Sequence, residues 1–570
     1  MPANAYPRRF VPADLDPSDF PELERLYREL LDRRIRSVEE MNRWLRDFSE
    51  LASVVDEFGN RRYIDKSSHT DDESIKKRFM RFVEEVEPRA KPMAFALQKK
   101  YLDSPVRKKL DRQRFDVLDR RWQAEVDIFR DESVEIETEV TRRVTQYDQI
   151  NGSMMVEFRG RELTMQQIAR FLEDPDPATR REAWEASSRR RLVDRQAIEE
   201  IFSSLLPLRH KIARNAGLSD FRAYQWKANK RFDYTPEDCL RFSDAIAETC
   251  VPIVRRLDRR RAEDLNLSII RPWDSAVDPK GRPPLRPFDE ARIDDFVGKT
   301  REIFNRLSPA LAADFDQLRQ HGNLDLESRK GKQPGGYLMP LEESRQPFIF
   351  MNAAGVHRDV ETLLHEGGHA FHHLASAAED LIFLRAAPLE FCEVASMSME
   401  LLGSQHLGVF YNPADTARAT RKLIEGIIYF FPWMAVIDSF QHWLYTHPGH
   451  SPGERSAKWI ELLDRFGGVV DWSGWEPVRE SLWQRQAHLF HSPFYYVEYG
   501  IAQLGALQLW MKARHDPHRA LANYRAALAL GGTRPLPQLF AAAGIVFDFS
   551  QKTLKPLMEA LVQELDRLPA

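Results

Sequence analysis

The sequence predicts a mainly α-helical protein with one small antiparallel sheet. Three observations carry that expectation. Long stretches repeat apolar residues at three- and four-residue spacing. Few and short segments alternate as strands do. One helical pattern near residue 365 carries histidines four apart, with a strand candidate just before it. Of 570 residues, 43% are hydrophobic and 30% charged, which is ordinary for a globular chain of one to three domains.

The elements follow in order. The start, MPANAYPRRFVPADLD, holds no apolar h-region, so no secretory signal is expected. From Pro21 to Phe58, the residues Leu23, Leu26, Leu30, Ile35, Met41, Leu45, Leu51 and Val55 fall at helical spacing. Val106 to Asn151 contains neither Gly nor Pro, and Leu110, Trp122, Val126, Phe129, Ile136, Val140, Val144 and Tyr147 repeat likewise. As one helix it would run roughly 70 Å. The two segments together suggest an antiparallel helical arm. Met154 to Thr164, with Gly160 central, reads as a short hairpin, and helix resumes at Met165. Residues 266–291 are Pro-rich and read as an extended connection. The remaining strand candidates are Gly336–Leu341 and Gln346–Asn352, separated by a charged turn.

Several classes are disfavoured. A formal net charge of −4 argues against a dedicated nucleic-acid binder. The longest apolar run, Ile427 to Ile437, is interrupted by Pro432 and falls short of the roughly 18–20 residues needed to span a bilayer. Cys239, Cys250 and Cys392 form no CxxC pair; so odd and sparse a set points to a reducing, cytoplasmic setting. There is no P-loop, and no GxGxxG follows a strand.

The chemistry sits in ETLLHEGGHAFHH, residues 361–373. On a helix, His365 and His369 stand one above the other and can hold one zinc ion, while Glu366 reaches a water on that ion without being a ligand. Asp359 suits the helix N-terminus, and Val360, Leu363, Leu364, Phe371 and Leu374 supply an apolar stripe. Gly367 and Gly368 each cost about 1 kcal/mol in a helix interior. Such a violation is expected where backbone must approach a substrate or a partner helix closely. A metzincin third ligand would need Gly at 372 and His at 375, but His372 and Ala375 stand there. The alternative is a glutamate from a later helix. Residues 388–403, PLEFCEVASMSMELLG, carry helix punctuation at both ends and place Glu390, Glu393 and Glu400 on one face. A solvated face is the competing reading of that stripe. Glu393 is the preferred ligand, because Ala395 and Ser396 beside it would let two helices pack closely, with another glutamate of the stripe bonding a ligand histidine.

His365-Glu366-Gly367-Gly368-His369, followed by Glu393-Val394-Ala395-Ser396, resembles the HExGH…ExxS signature of the oligoendopeptidase F and thimet oligopeptidase family of zinc peptidases. Gly335-Gly336-Tyr337, Pro347 to Asn352 and His357 to Val360 look like that family's approach to its zinc helix. His488, followed by Pro493 to Gly500, is similar to its C-terminal His/Tyr segment. The likeness is specific from roughly residue 330 to 550. It implies a two-lobed gluzincin fold with a deep substrate channel, an N-terminal helical domain over 1–200 and a catalytic domain over 201–570. It implies one Zn2+ per chain on His365, His369 and Glu393, with Glu366 as general base. His488, Tyr499 and Tyr496 would stabilise the transition state, and Glu400 and Asp359 would support the ligands. Phe350, Asn352, Gly355 and His357 would meet the substrate, with the strand Pro347–Asn352 offering its edge to an extended peptide. The expected activity is endopeptidase cleavage of short unfolded peptides, with no nucleic-acid or membrane partner and the oligomeric state open. A dipeptidyl carboxypeptidase and a non-cutting zinc peptide-binder are the alternatives. The former needs a cation for the substrate carboxylate, and the latter has no use for Glu366.

Overall fold

A computed structural model describes residues 6–569. Helix dominates, as expected, and the chain groups into two compact units that each draw on three stretches of sequence. The first takes the described part of Met1–Val126 with Leu285–Thr420 and Ala502–Phe547. The second takes Asp127–Pro284, Arg421–Ile501 and the described part of Asp548–Ala570.

In the first unit, helices Phe20–Asp32 and Val38–Ser68 are separated by five residues that end one helix and cap the next. Ser37 accepts from the Glu40 N–H as the N-cap of the second. Their apolar faces close over a core that includes Leu23, Leu26, Trp44, Phe48 and Trp122. The long helix expected over Val106–Asn151 is broken. Its pieces are a 3-10 turn at Pro105–Lys109 and helices Arg112–Ile128 and Asp131–Gly152. Arg130 is extended, with φ −142° and ψ 127°. Acidic residues mark both restarts: Asp111 accepts from the Gln113 N–H, and Asp131 and Glu132 occupy the positive end of the next helix.

The hairpin is present in the second unit as β1 (Met155–Phe158) and β2 (Arg161–Thr164). Arg159 and Gly160 turn it with positive φ at both positions, the twist a two-residue hairpin needs. The sheet beside the histidine segment, in the first unit, differs from the antiparallel pair expected. It has three strands in the order β3 (Leu324–Glu327), β5 (Gln346–Ala353), β4 (Tyr337–Leu341). β4 pairs antiparallel to β5, but β3 pairs parallel to it. Four residues, two of them charged, are too few for a period-two signal, so β3 was not legible as a strand.

Helix Pro413–Thr446 contains the apolar run at 427–437. By length and composition it could cross a membrane, but 67% of its most apolar window is buried, as in the core helix of a globular fold.

Candidate metal centre and catalytic residues

In the first unit, β5 leads through a turn into helix His357–Ser376, the histidine helix. Asp359, in its first turn, accepts from the backbone N–H groups of Ala354 and Val356 at 2.8 and 2.9 Å, so it ties the turn to the helix start. Val360, Leu363, Leu364, Ala370 and Phe371 are buried. That stripe fixes the helix's rotation and turns His365 and His369 to one side, with ring centroids 4.9 Å apart.

The two glycines now have a physical reason. A Cβ on Gly368 would lie 2.5 Å from the Ala395 carbonyl oxygen and 2.6 Å from Ser396 Cα, both backbone atoms of helix Leu389–Ser404, the glutamate helix. One on Gly367 would lie 2.6 Å from Phe304 Cζ. The two helices therefore pack backbone to backbone at this level. The Tyr524 hydroxyl donates to the same Ala395 carbonyl at 2.9 Å and so ties a third helix to this contact. Glu390 and Glu393 are buried, so the glutamate stripe faces inward rather than into solvent.

This close packing brings Glu393 Oε2 to 3.6 Å from His365 Nε2 and 3.8 Å from His369 Nε2. One donor atom from each of the three residues lies within 4.8 Å of the others. Tetrahedral coordination with arms of about 2.0–2.1 Å needs donor separations of about 3.3 Å, so the set fits a zinc ion with small adjustments. Supporting bonds orient it. Glu400 Oε1 lies 2.6 Å from His365 Nδ1, which leaves Nε2 for the cation. The Ser396 hydroxyl donates to Glu393 Oε2 at 3.0 Å.

The field of these groups is unusual. Burial lowers His365, but the Glu400 hydrogen bond and the charges of Glu400, Glu393 and Glu366 outweigh it and raise the imidazole to about 9. Burial, with His365⁺ and His372 nearby, holds His369 well below the ordinary histidine range. Glu366 is pushed up to about 7, chiefly by burial; His365 opposes the shift, Glu393 and Glu400 add to it, and the Leu338 N–H of β4 opposes it. A carboxylate poised near neutrality beside a metal-ligand set is suited to proton transfer.

The four residues assigned to substrate are engaged within the fold. Phe350 is fully buried and stacks on Tyr337 at 4.7 Å. The Asn352 amide donates to the carbonyls of Gln333 and Gly335. Gly355 adopts φ 72°, and a Cβ there would meet the Phe288 carbonyl oxygen at 2.9 Å. His357 Nδ1 lies 2.9 Å from the Tyr411 hydroxyl. The edge expected at Pro347–Asn352 is not free either. β5 is the central strand and is paired on both sides, because the unforeseen β3 occupies its second edge.

In the second unit, His488 packs among Tyr495, Tyr496 and Tyr499, with ring centroids 5.7, 5.0 and 6.0 Å away. The Gln486 amide lies 2.9 Å from His488 Nδ1; donating there, it leaves Nε2 to carry the proton. Burial, then the charge of His491, lowers His488 below the ordinary histidine value. Two buried arginines hold the segment. Arg209 donates to the Leu489 and Phe490 carbonyls, and Arg231 donates to the Phe494 carbonyl and pairs with Glu498 at 2.7 Å.

The sequence profile of Peptidase family M3 matches residues 170–283 and 312–559, and that of the Peptidase M3 N-terminal domain matches residues 10–129. The chain belongs to peptidase family M3. It is therefore a peptidase, of the metallo-oligopeptidase kind. Among solved structures, a PZ peptidase A with an inhibitor aligns at TM-score 0.88 and 26% identity, over 98% of this chain and 99% of that one. A protein described as an oligoendopeptidase F aligns at TM-score 0.87 and 27% identity over the same shares. A third, from Bacillus anthracis str. Ames, aligns at TM-score 0.84 and 24% identity, over 98% and 99%, and speaks for the fold alone. Comparison with curated protein sequences gives no match. Of the supporting groups in this M3 peptidase, sequence reasoning missed Gln486, Tyr524 and the Leu338 N–H. Tyr524 meets the glutamate helix across 129 positions, and no local pattern marks such a partner.

Proposed function

We propose that this chain is a zinc-dependent endopeptidase that hydrolyses internal bonds of short, unfolded peptides. One observation carries the reading: His365, His369 and Glu393 bring three donor atoms to one point, with buried Glu366 adjacent in sequence to the first of them. Zinc held there would supply Lewis acidity, lowering the pKa of water from 15.7 towards about 7 and polarising the scissile carbonyl. The chain's own residues do the rest. Glu366 takes the proton of the attacking water and delivers it to the leaving amine nitrogen. Glu400 holds the His365 ring in place, and Ser396 steadies Glu393. His488 through Nε2–H, and Tyr499 or Tyr496 through the phenol, are assigned as donors to the developing oxyanion, a role worth about 3–4 kcal/mol for one well-placed group. Their clustering and the resemblance of the segment support that assignment.

For the substrate, β4 replaces β5 as the strand to be extended. It lies at an edge of the sheet, and its Leu338 N–H acts on Glu366. A peptide paired to that edge would bind main chain to main chain, with loose sequence preference.

The test uses the purified protein and its Glu366→Gln variant with metal analysis and a mixed library of short peptides. Both should bind zinc, and only the parent should cut internal bonds. Release of C-terminal dipeptides alone would establish a dipeptidyl carboxypeptidase instead. Zinc binding with no cleavage at any length would leave a binding protein and overturn the proposal.

A further inference from the structure

The second unit holds another group of metal-binding side chains, remote in sequence from the HEGGH motif. Cys239 lies on helix Pro236–Thr249, and Asp438 and His442 lie one turn apart on helix Pro413–Thr446. One donor atom from each lies within 4.8 Å of the other two. Cys239 and Asp438 are fully buried, and His442 is 3% exposed.

The polar bookkeeping of Asp438 and His442 does not close among the described residues. Neither oxygen of Asp438 and neither ring nitrogen of His442 makes a hydrogen bond among the described residues. His442 Nε2 approaches Asp438 Oδ2 to 3.2 Å without the alignment of a hydrogen bond. Buried polar groups are almost always satisfied, so four unsatisfied atoms on two adjacent side chains call for a missing partner. A buried carboxylate calls for a positive one. The 3.2 Å separation is close to the roughly 3.3 Å edge of a tetrahedron whose arms are about 2.0 Å. Thiolate, imidazole and carboxylate together favour a borderline-soft divalent cation over the harder magnesium or calcium.

We propose that Cys239, Asp438 and His442 form a second, structural site for a divalent cation of the zinc class. The position suggests what it steadies. Phe494 packs edge-on against His442, with centroids 5.2 Å apart, and Gln441, next to His442, accepts from the Phe494 N–H at 2.6 Å. Phe494 has φ 64°, a left-handed conformation unfavourable for a side chain of its size. It directly precedes Tyr495, Tyr496 and Tyr499. The cation, by fixing His442, braces the strained turn from which the tyrosine segment departs.

The inference does not depend on the function proposed for His365, His369 and Glu393, and its test separates the two. The full-length protein should contain two zinc ions per chain. X-ray absorption should show sulfur in the average zinc shell at about 2.3 Å. Substitution by cobalt should give a thiolate-to-cobalt charge-transfer band, which ligands His365, His369 and Glu393 cannot produce. The double variant His365→Ala, His369→Ala should lose one metal and keep the band. Cys239→Ser should lose one metal and the band. A parent with one metal and a band that depends on Cys239 would support this site while removing zinc from the HEGGH residues. A parent with no sulfur in its zinc shell and no band would overturn the proposal without recourse to any variant, and the three side chains would then share a buried water. A band that survives Cys239→Ser would overturn it equally.

Discussion

Gly368→Ala is the perturbation that tests most directly how this chain builds its metal centre. The added Cβ would stand 2.5 Å from the Ala395 carbonyl oxygen and 2.6 Å from Ser396 Cα, where ordinary contact begins near 3.4 Å. Both obstacles are backbone, so the glutamate helix must move away by about 1 Å, a distance that carbon–carbon contact potentials do not forgive. Overpacking of this kind costs about 1–3 kcal/mol, and the better helix propensity of alanine returns about 1 kcal/mol. Stability should therefore fall only modestly, by up to about 2 kcal/mol. The metal centre should suffer far more. Glu393 sits 3.6 and 3.8 Å from the two histidine nitrogens, and its helix is the one that moves. Zinc affinity should drop about 10–100-fold, as it does when a ligand loses its positioning, and cleavage should fall about 100-fold. Gly367→Ala is the matched control. Its obstacle is the ring of Phe304, 2.6 Å away, which does not belong to the glutamate helix, so zinc affinity should change little even where stability falls. The assay is zinc competition with a chelator, alongside thermal unfolding and peptide cleavage for both variants. If Gly368→Ala binds zinc and cuts peptide as the parent does, the close helix packing does not place Glu393 and the reasoning fails.

Other outcomes follow from the same geometry. Glu366→Gln should retain zinc and lose about 10²–10⁴-fold in kcat, measured at saturating peptide. Glu400→Gln weakens the bond to His365 Nδ1 and should reduce zinc affinity about 10–100-fold in a chelator competition. Tyr499→Phe and Tyr496→Phe separate the two candidate donors: the one that acts should lose about 10²–10³-fold in kcat with KM little changed, and equal, small losses would remove both from the chemistry. In chelator-treated protein the titrations have a definite sign. His365 is raised from 6.5 to about 9, so the stability it contributes is complete below its unfolded value and is lost as pH rises through about 9. Glu366 is raised from 4.5 to about 7, so it too contributes stability that is lost with rising pH, through about 7. Relative to Glu400→Gln, the melting temperature of the stripped parent should fall from pH 6.5 to pH 9; parallel profiles would contradict the His365 assignment.

What was legible in the sequence divides along a physical line. Helices whose apolar residues repeat over several turns, and the hairpin with Gly160 at its turn, announce themselves locally, because burial selects residues at a fixed period. The break at Arg130 and the strand Leu324–Glu327 do not. The former carries no glycine or proline, and only the acidic pair Asp131–Glu132 at the start of the following helix betrays it. The latter is four residues long and is made a strand by its neighbour β5 rather than by its own pattern. Its presence covers the edge of β5 that the sequence left open. The two compact units interleave stretches of chain, and no composition shift marks such a division.

The candidate metal centre was more legible than the fold around it, and the reason lies in the residues that break local rules. Two glycines inside a helix lower its intrinsic stability, so their place between His365 and His369 signalled that something comes close there. The glutamate helix is what comes close, and Glu393 reaches the histidines only because Gly368 has no Cβ. Ligand and glycine are thus one device split over two helices. The same logic explains why Cys239, Asp438 and His442 went unseen as a set. Asp438 and His442 sit at the spacing of an ordinary helical ion pair, Cys239 is far away in sequence, and no residue among them violates a local rule. Their anomaly is visible only as unsatisfied donors and acceptors in a closed interior, a property that exists after folding and has no counterpart along the chain.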